Sequence, residues 1–147
     1  MKYNKLIKWV AVAHIIVAVE IFLFWILFFA EIIFPKDLLS QRIMNFDGYY
    51  AWESSFVFPD SLMASAMLVG AFRLIQNVND RLGRTVLIAA SGGCIFLGVL
   101  DFAYDFANGM YGLDHLFSFI LLSVGLFMPP FGLASIYLLY KNGNRID

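Results

Sequence analysis

The sequence predicts an all-α integral membrane protein, a four-transmembrane-helix antiparallel bundle with both termini cytoplasmic. Three observations carry that reading. The 147 residues are 61% hydrophobic and only 14% charged, with a mean hydropathy of +0.78, a composition outside the range of soluble domains. Four apolar segments, at about 6–34, 50–75, 85–106 and 116–140, are each long enough to cross about 30 Å of hydrocarbon. Lys2, Lys5, Lys8, Arg73, Arg81, Arg84, Lys141 and Arg145 flank one set of segment ends, against Lys36 and Arg42 at the other. That bias of eight to two puts both termini inside.

The elements follow in order. Three lysines ahead of the first segment resemble the basic region of a signal peptide, but the apolar run is far longer than a cleavable one, so it stays as helix one. Pro35 to Gly48 mixes Leu38, Leu39, Ile43, Met44 and Phe46 with polar residues, which predicts a short interfacial helix closing in a turn at Asn45 to Gly48. In the second segment, Pro59 frees a backbone carbonyl about one turn earlier. Asn77 to Gly83 reads as a short cytoplasmic turn before the third segment. Pro129 and Pro130 fall mid-span in the fourth and predict a kink or local unwinding. Lys141 to Asp147 is a tail too short for a domain, leaving residues 1–147 as one membrane domain. Trp9 and Tyr140 suit an inner aromatic belt, and Tyr49, Tyr50, Trp52 and Tyr111 an outer one.

Small residues mark the helix faces that meet. Ala90, Cys94 and Gly98 form a ladder on the third helix, Ala66 and Gly70 on the second, and Ser118, Gly125 and Gly132 on the fourth. The lone Cys94 excludes a disulfide within the chain and a CxxC motif, and reads as a small buried residue. A net charge of -1 without a polybasic block excludes nucleic acid as a partner.

The chemistry-bearing feature is acidic. Glu20, Glu31, Glu53, Asp60, Asp101 and Asp105 lie inside or at the edges of the apolar runs, with no Lys or Arg deep in those runs to pair with them. Carboxylates in hydrocarbon are costly, so such residues are functional candidates by default, and must be protonated, hydrated, hydrogen-bonded or bound to a cation. On the helical wheel Asp101 and Asp105 share a face, as do Glu53 and Asp60, and Glu20 and Glu31. Five of the six fall in the outer half, and Glu20 lies near the midplane. The expectation is an acid-lined cavity opening outward and bounded by helices one to three.

Cofactor chemistry is constrained by two histidines only. His14 and His115 lie at different depths, which disfavours haem. A divalent cation is the cofactor class left open, with His115 joining Asp101 and Asp105 in a mixed carboxylate and imidazole site. The serines lack a nucleophile-elbow context and no Gly-rich phosphate loop occurs.

Three function classes fit. The leading one is a cavity that binds a lipophilic, cationic or metal ligand, with an enzymatic version using one carboxyl as general acid and another as base. In architecture and acid usage alone this resembles the sterol-isomerase and sigma-2-receptor group, with no motif carried across residue by residue. The second is a proton-coupled transporter or ion-conducting oligomer. The lone midplane Glu20 on the first of four helices looks like the small multidrug transporters, although those chains are shorter and lack the outer acids. The third is an accessory subunit whose acids pair with basic residues of a larger membrane complex. Membrane lipids, a second copy or another membrane protein are the expected partners, and a bacterial or archaeal plasma membrane the expected location.

Overall fold

A computed structural model of the chain describes residues 2–33, 35–40, 46–112 and 115–143. Among the described residues every regular element is helical: α1 (Lys2–Phe29), α2 (Lys36–Ser40), α3 (Phe46–Ser55), α4 (Val57–Gln76), α5 (Arg81–Ala107), a 3-10 turn (Met110–Gly112) and α6 (His115–Gly143). Four stretches, Asn4–Phe29, Asp47–Gln76, Arg81–Ala107 and Ser118–Lys141, are long and apolar enough to cross a membrane. At 24 to 30 residues they extend about 36–45 Å along their axes.

Helix ends differ from the sequence expectation for local reasons. α1 stops at Phe29 rather than near 34 because Glu31 adopts a left-handed φ of 58°. The Ile32 N–H then donates to the Leu27 carbonyl and the Glu31 N–H to the Phe28 carbonyl, a Schellman closure at a position where glycine is usual. The second span is two helices, broken at Phe56. Pro59 has no N–H for the Ser55 carbonyl, and the break falls at the next residue. The turn expected at Asn45 to Gly48 is already helical from Phe46, while 41–45 lie outside the described residues. α5 begins at Arg81, inside the expected turn, because Asp80 caps it. The Asp80 carboxylate accepts from the Gly83 N–H at 2.6 Å and from Arg73 Nε and Nη2 at 3.1 and 2.9 Å. That guanidinium, with the Gly83 N–H, holds the Asp80 carboxyl below the usual carboxylate range. α6 stays helical through Pro129 and Pro130 instead of unwinding.

The register shows antiparallel neighbours. Gly70 faces Leu87 and Gly83, whereas Gly93 faces Met63, so α4 and α5 run oppositely. Gly98 faces Met128 and Pro129, Gly125 faces Phe102, and Gly132 faces Ser91 and Ile95, so α5 and α6 do too. Phe28 stacks on Tyr50 while Trp25 reaches Asp60, which sets α1 against the second span. Members of the expected ladders therefore sit at the contacts: Cys94 and Gly98 on α5 meet α6, where a Cβ at Gly98 would come within 2.9 Å of Met128 and Pro129. α5 packs most extensively on α6, and α1 on α4, whereas α1 meets α6 over a short stretch only. A cavity is left between them.

The polar core has one node away from the acids. His14 is fully buried; its Nδ1–H donates to the Val10 carbonyl at 2.8 Å, its Nε2 lies 3.0 Å from Ser91 Oγ, and its ring packs on Phe131. Both nitrogens are thus engaged, joining α1, α5 and α6.

Candidate functional site: a carboxyl-lined cavity within the bundle

The space between the helices is a cavity of about 390 Å³. α1 contributes Val17, Glu20, Ile21, Phe24 and Trp25, and α5 contributes Leu97, Gly98 and Asp101. Glu53, Phe56 and Asp60 come from the broken second span. α6 adds Leu121, Ser123, Val124, Phe127 and Met128, so the cavity is not bounded by the first three spanning helices alone. Gly98 is the reason: its missing side chain admits Pro129 and brings α6 against α5.

The helix break at Phe56 redirects the chain between Glu53 and Asp60, and each carboxyl meets its own aromatic donor. Trp25 Nε1–H donates to Asp60 Oδ2 at 3.1 Å, and the Tyr49 hydroxyl donates to Glu53 Oε1 at 2.7 Å. Tyr49, read from sequence as an interfacial anchor, is instead buried at 2% exposure. Its spacing of four from Glu53 on one helix face was the available signal. Trp25 had none, since its partner is 35 residues away in the chain. Tyr104 stacks on Trp52 at 4.1 Å and on Tyr49 at 6.4 Å, closing an aromatic wall around these groups.

Three of the six sequence candidates converge. Oxygens of Glu53, Asp101 and Asp105 lie within 4.8 Å of one another. Asp60 stands in the same cavity wall as Glu53 and Asp101. Asp105 is fully buried, and neither of its carboxyl oxygens has a hydrogen-bond partner among the described residues. Tyr111, on the 3-10 turn, is pushed up to about 12 by burial and by the neighbouring Asp105 and Asp101.

The other two acids are elsewhere. Glu20 lines the cavity but is exposed, which puts it at the cavity's rim. Glu31 lies outside the cavity. Left-handed at the end of α1, it is exposed and pairs with Lys36 Nζ at 2.9 Å. Lys36 sits 4.6 Å from the Tyr50 ring centre, and its hydrogen bonds to Glu31 and Tyr50 raise its pKa. His115 begins α6, but its side chain lies outside the described residues, and the three-carboxylate group is the one found among the described residues.

No family model, curated protein or solved structure matches this chain. The chemistry of the site must be read from the site.

Proposed function

We propose that this chain is an integral membrane protein, inserted with both termini in the cytoplasm, whose cavity binds a lipophilic organic cation. The observation that carries this reading is the make-up of the wall. Carboxyls from three elements, Glu53, Asp60 and Asp101, face a space otherwise lined by aliphatic and aromatic side chains, and no Lys or Arg is among the lining residues. A neutral lipid would leave those carboxyls without compensation, and an anionic one would add to the repulsion. A cationic head satisfies them while Phe24, Phe56 and Phe127 take the apolar body, with cation–π attraction adding to the Coulombic one.

The volume suits a small amphiphile, being near the lower limit of ligand pockets. Access from the lipid phase fits the short α1 to α6 contact, with Glu20 at the rim. Glu20 is also the residue a proton-coupled transporter would use, and its rim position supports that as a second reading. Loss of proton-coupled flux of the organic cation in Glu20→Gln, with binding retained, would favour it.

The binding reading is tested with hexyltrimethylammonium on the protein in nanodiscs, followed by Trp fluorescence and thermal stability. Neutral hexanol and anionic hexanoate serve as comparison probes. Saturable binding of the ammonium probe that weakens tenfold or more in Asp60→Asn is expected. Equal binding of hexanol, or an Asp60→Asn affinity within twofold of wild type, would overturn it.

A further inference from the structure

We propose that Glu53, Asp101 and Asp105 form a divalent-cation site, of the hard oxygen-ligated kind that calcium occupies, beside the cavity that Glu53 and Asp101 also line. The donor set comes first. One oxygen from each carboxyl lies within 4.8 Å of the others, and ligands held 2.3–2.6 Å from one calcium ion can be up to about 5 Å apart. Magnesium and manganese, with shorter bonds, would require the carboxyls to close in.

The second observation is independent of that spacing. Asp105 is 0% exposed, and both of its oxygens lack a hydrogen-bond partner among the described residues. Protonation alone does not remedy this, because a neutral carboxyl carries an O–H that itself needs an acceptor. An ion touching all three carboxyls does. Among the described residues no basic side chain stands in for it. Lys36 is committed to Glu31 and Tyr50, and Arg73 to Asp80 at the opposite ends of the helices.

The identity of the ion follows from ligand type and charge. Among the described residues the donor set is three carboxylates with neither thiolate nor imidazole, which favours calcium, magnesium or manganese over zinc and copper. His14 is held by Val10 and Ser91, and Cys94 stands outside the triad. A divalent ion leaves the group with one residual negative charge, whereas a monovalent ion leaves two in a buried position. Glu53 is already oriented: Tyr49 occupies Oε1 and leaves Oε2 for the ion, as outer hydrogen bonds commonly do at metal carboxylates. Asp105 is not part of the cavity wall, so the ion site and the organic-cation site share Glu53 and Asp101 but each has a private carboxyl, Asp105 and Asp60. The proposal therefore does not rest on the organic-cation reading.

The test uses the full chain, purified and stripped with EDTA, and terbium as a luminescent probe for calcium sites. Trp52, Tyr104 and Tyr49 flank the carboxyls and should sensitise its emission. The expected result is sensitised emission that saturates at one equivalent, is displaced by calcium, and needs at least tenfold more terbium in Asp105→Asn. Asp60→Asn should shift the terbium titration by less than Asp105→Asn does, and Asp105→Asn should still bind hexyltrimethylammonium. Glu53→Gln provides a second removal if Asp105→Asn does not yield folded protein. Absence of saturable emission in wild type, or half-saturation within twofold in either folded triad variant, would overturn the site. Loss of ammonium binding with terbium binding intact would overturn only the organic-cation reading.

Discussion

Replacing Gly132 with Ala tests the close approach on which the α5 to α6 wall of the cavity depends. A Cβ at Gly132 meets the backbone carbonyl oxygen of Ser91 and lies 2.7 Å from Ile95 Cγ1. The carbonyl belongs to the interior of a helix and cannot swing aside, so α5 and α6 must separate. Forcing an extra methyl into a packed interface costs about 1–3 kcal/mol. The same substitution gains up to about 1 kcal/mol of helix propensity, which complicates a single measurement. Gly92→Ala removes that complication, because a Cβ at Gly92 meets nothing within 4 Å, and both glycines lie inside helices. The difference between the two variants isolates the packing cost, so Gly132→Ala should be less stable than Gly92→Ala by about 1–3 kcal/mol. Reversible unfolding in mixed micelles, read by Trp fluorescence, measures it. Equal stability of the two variants would refute the interface, and with it the contribution of α6 to the cavity.

Three further outcomes follow from named positions. With both termini inside, Asn108→Cys should react with a membrane-impermeant maleimide in intact cells and Asn79→Cys only after permeabilisation; Cys94 is fully buried and gives little background, and the opposite labelling pattern would reverse the orientation. Asp80 has a carboxyl pKa lowered first by Arg73, so its stabilising contribution is fully present above the unfolded-state value of about 3.9 and is lost as pH falls through the lower folded value. Asp80→Asn should lower stability at neutral pH and narrow the gap to wild type below about pH 3; a gap that is constant with pH would reject the Arg73 pairing. Ile21→Trp adds bulk to a wall residue of α1 without touching the triad, and should weaken hexyltrimethylammonium tenfold or more while leaving terbium titration unchanged.

The four helices long and apolar enough to cross a membrane, and their small-residue faces, were legible because length, hydropathy and close helix approach act on composition and spacing, which a sequence displays directly. The convergence of Glu53, Asp101 and Asp105 was half legible. The wheel aligned Asp101 with Asp105, but which helix faces meet is decided by packing, as the seating of Pro129 on Gly98 illustrates. Glu31 was misplaced because its alignment with Glu20 assumed an α1 that continued past residue 30. The helix stops there through a left-handed non-glycine residue, for which the sequence carries no signal. Tyr49 was assigned to the interface because tyrosine is common there, although its spacing of four from Glu53 was the signal that its hydroxyl is committed to that carboxyl. The part played by α6 was hidden for another reason. It has no acids in the cavity, contributing Ser123 and apolar residues that look like any lipid-facing helix.

Shared ownership of Glu53 and Asp101 has a thermodynamic consequence that can be measured in both directions. A divalent ion at the triad neutralises two of the charges that an organic cation in the cavity would otherwise feel, leaving one residual negative charge at the triad beside that of Asp60. Each cation should therefore weaken the other. Linkage makes the factor identical from either side, and couplings between sites typically amount to about 5–150-fold. The low dielectric of the bundle argues for the upper part of that range, while the Trp25 hydrogen bond, which holds Asp60 in place for the organic head, argues that binding is weakened rather than abolished. Hexyltrimethylammonium affinity measured in EDTA and again in saturating calcium, beside calcium affinity with and without the ammonium probe, gives the two factors. Equal factors above one support two cation sites drawing on common carboxyls. An ammonium affinity unchanged or increased by calcium would mean that the two sites do not share the charge of Glu53 and Asp101.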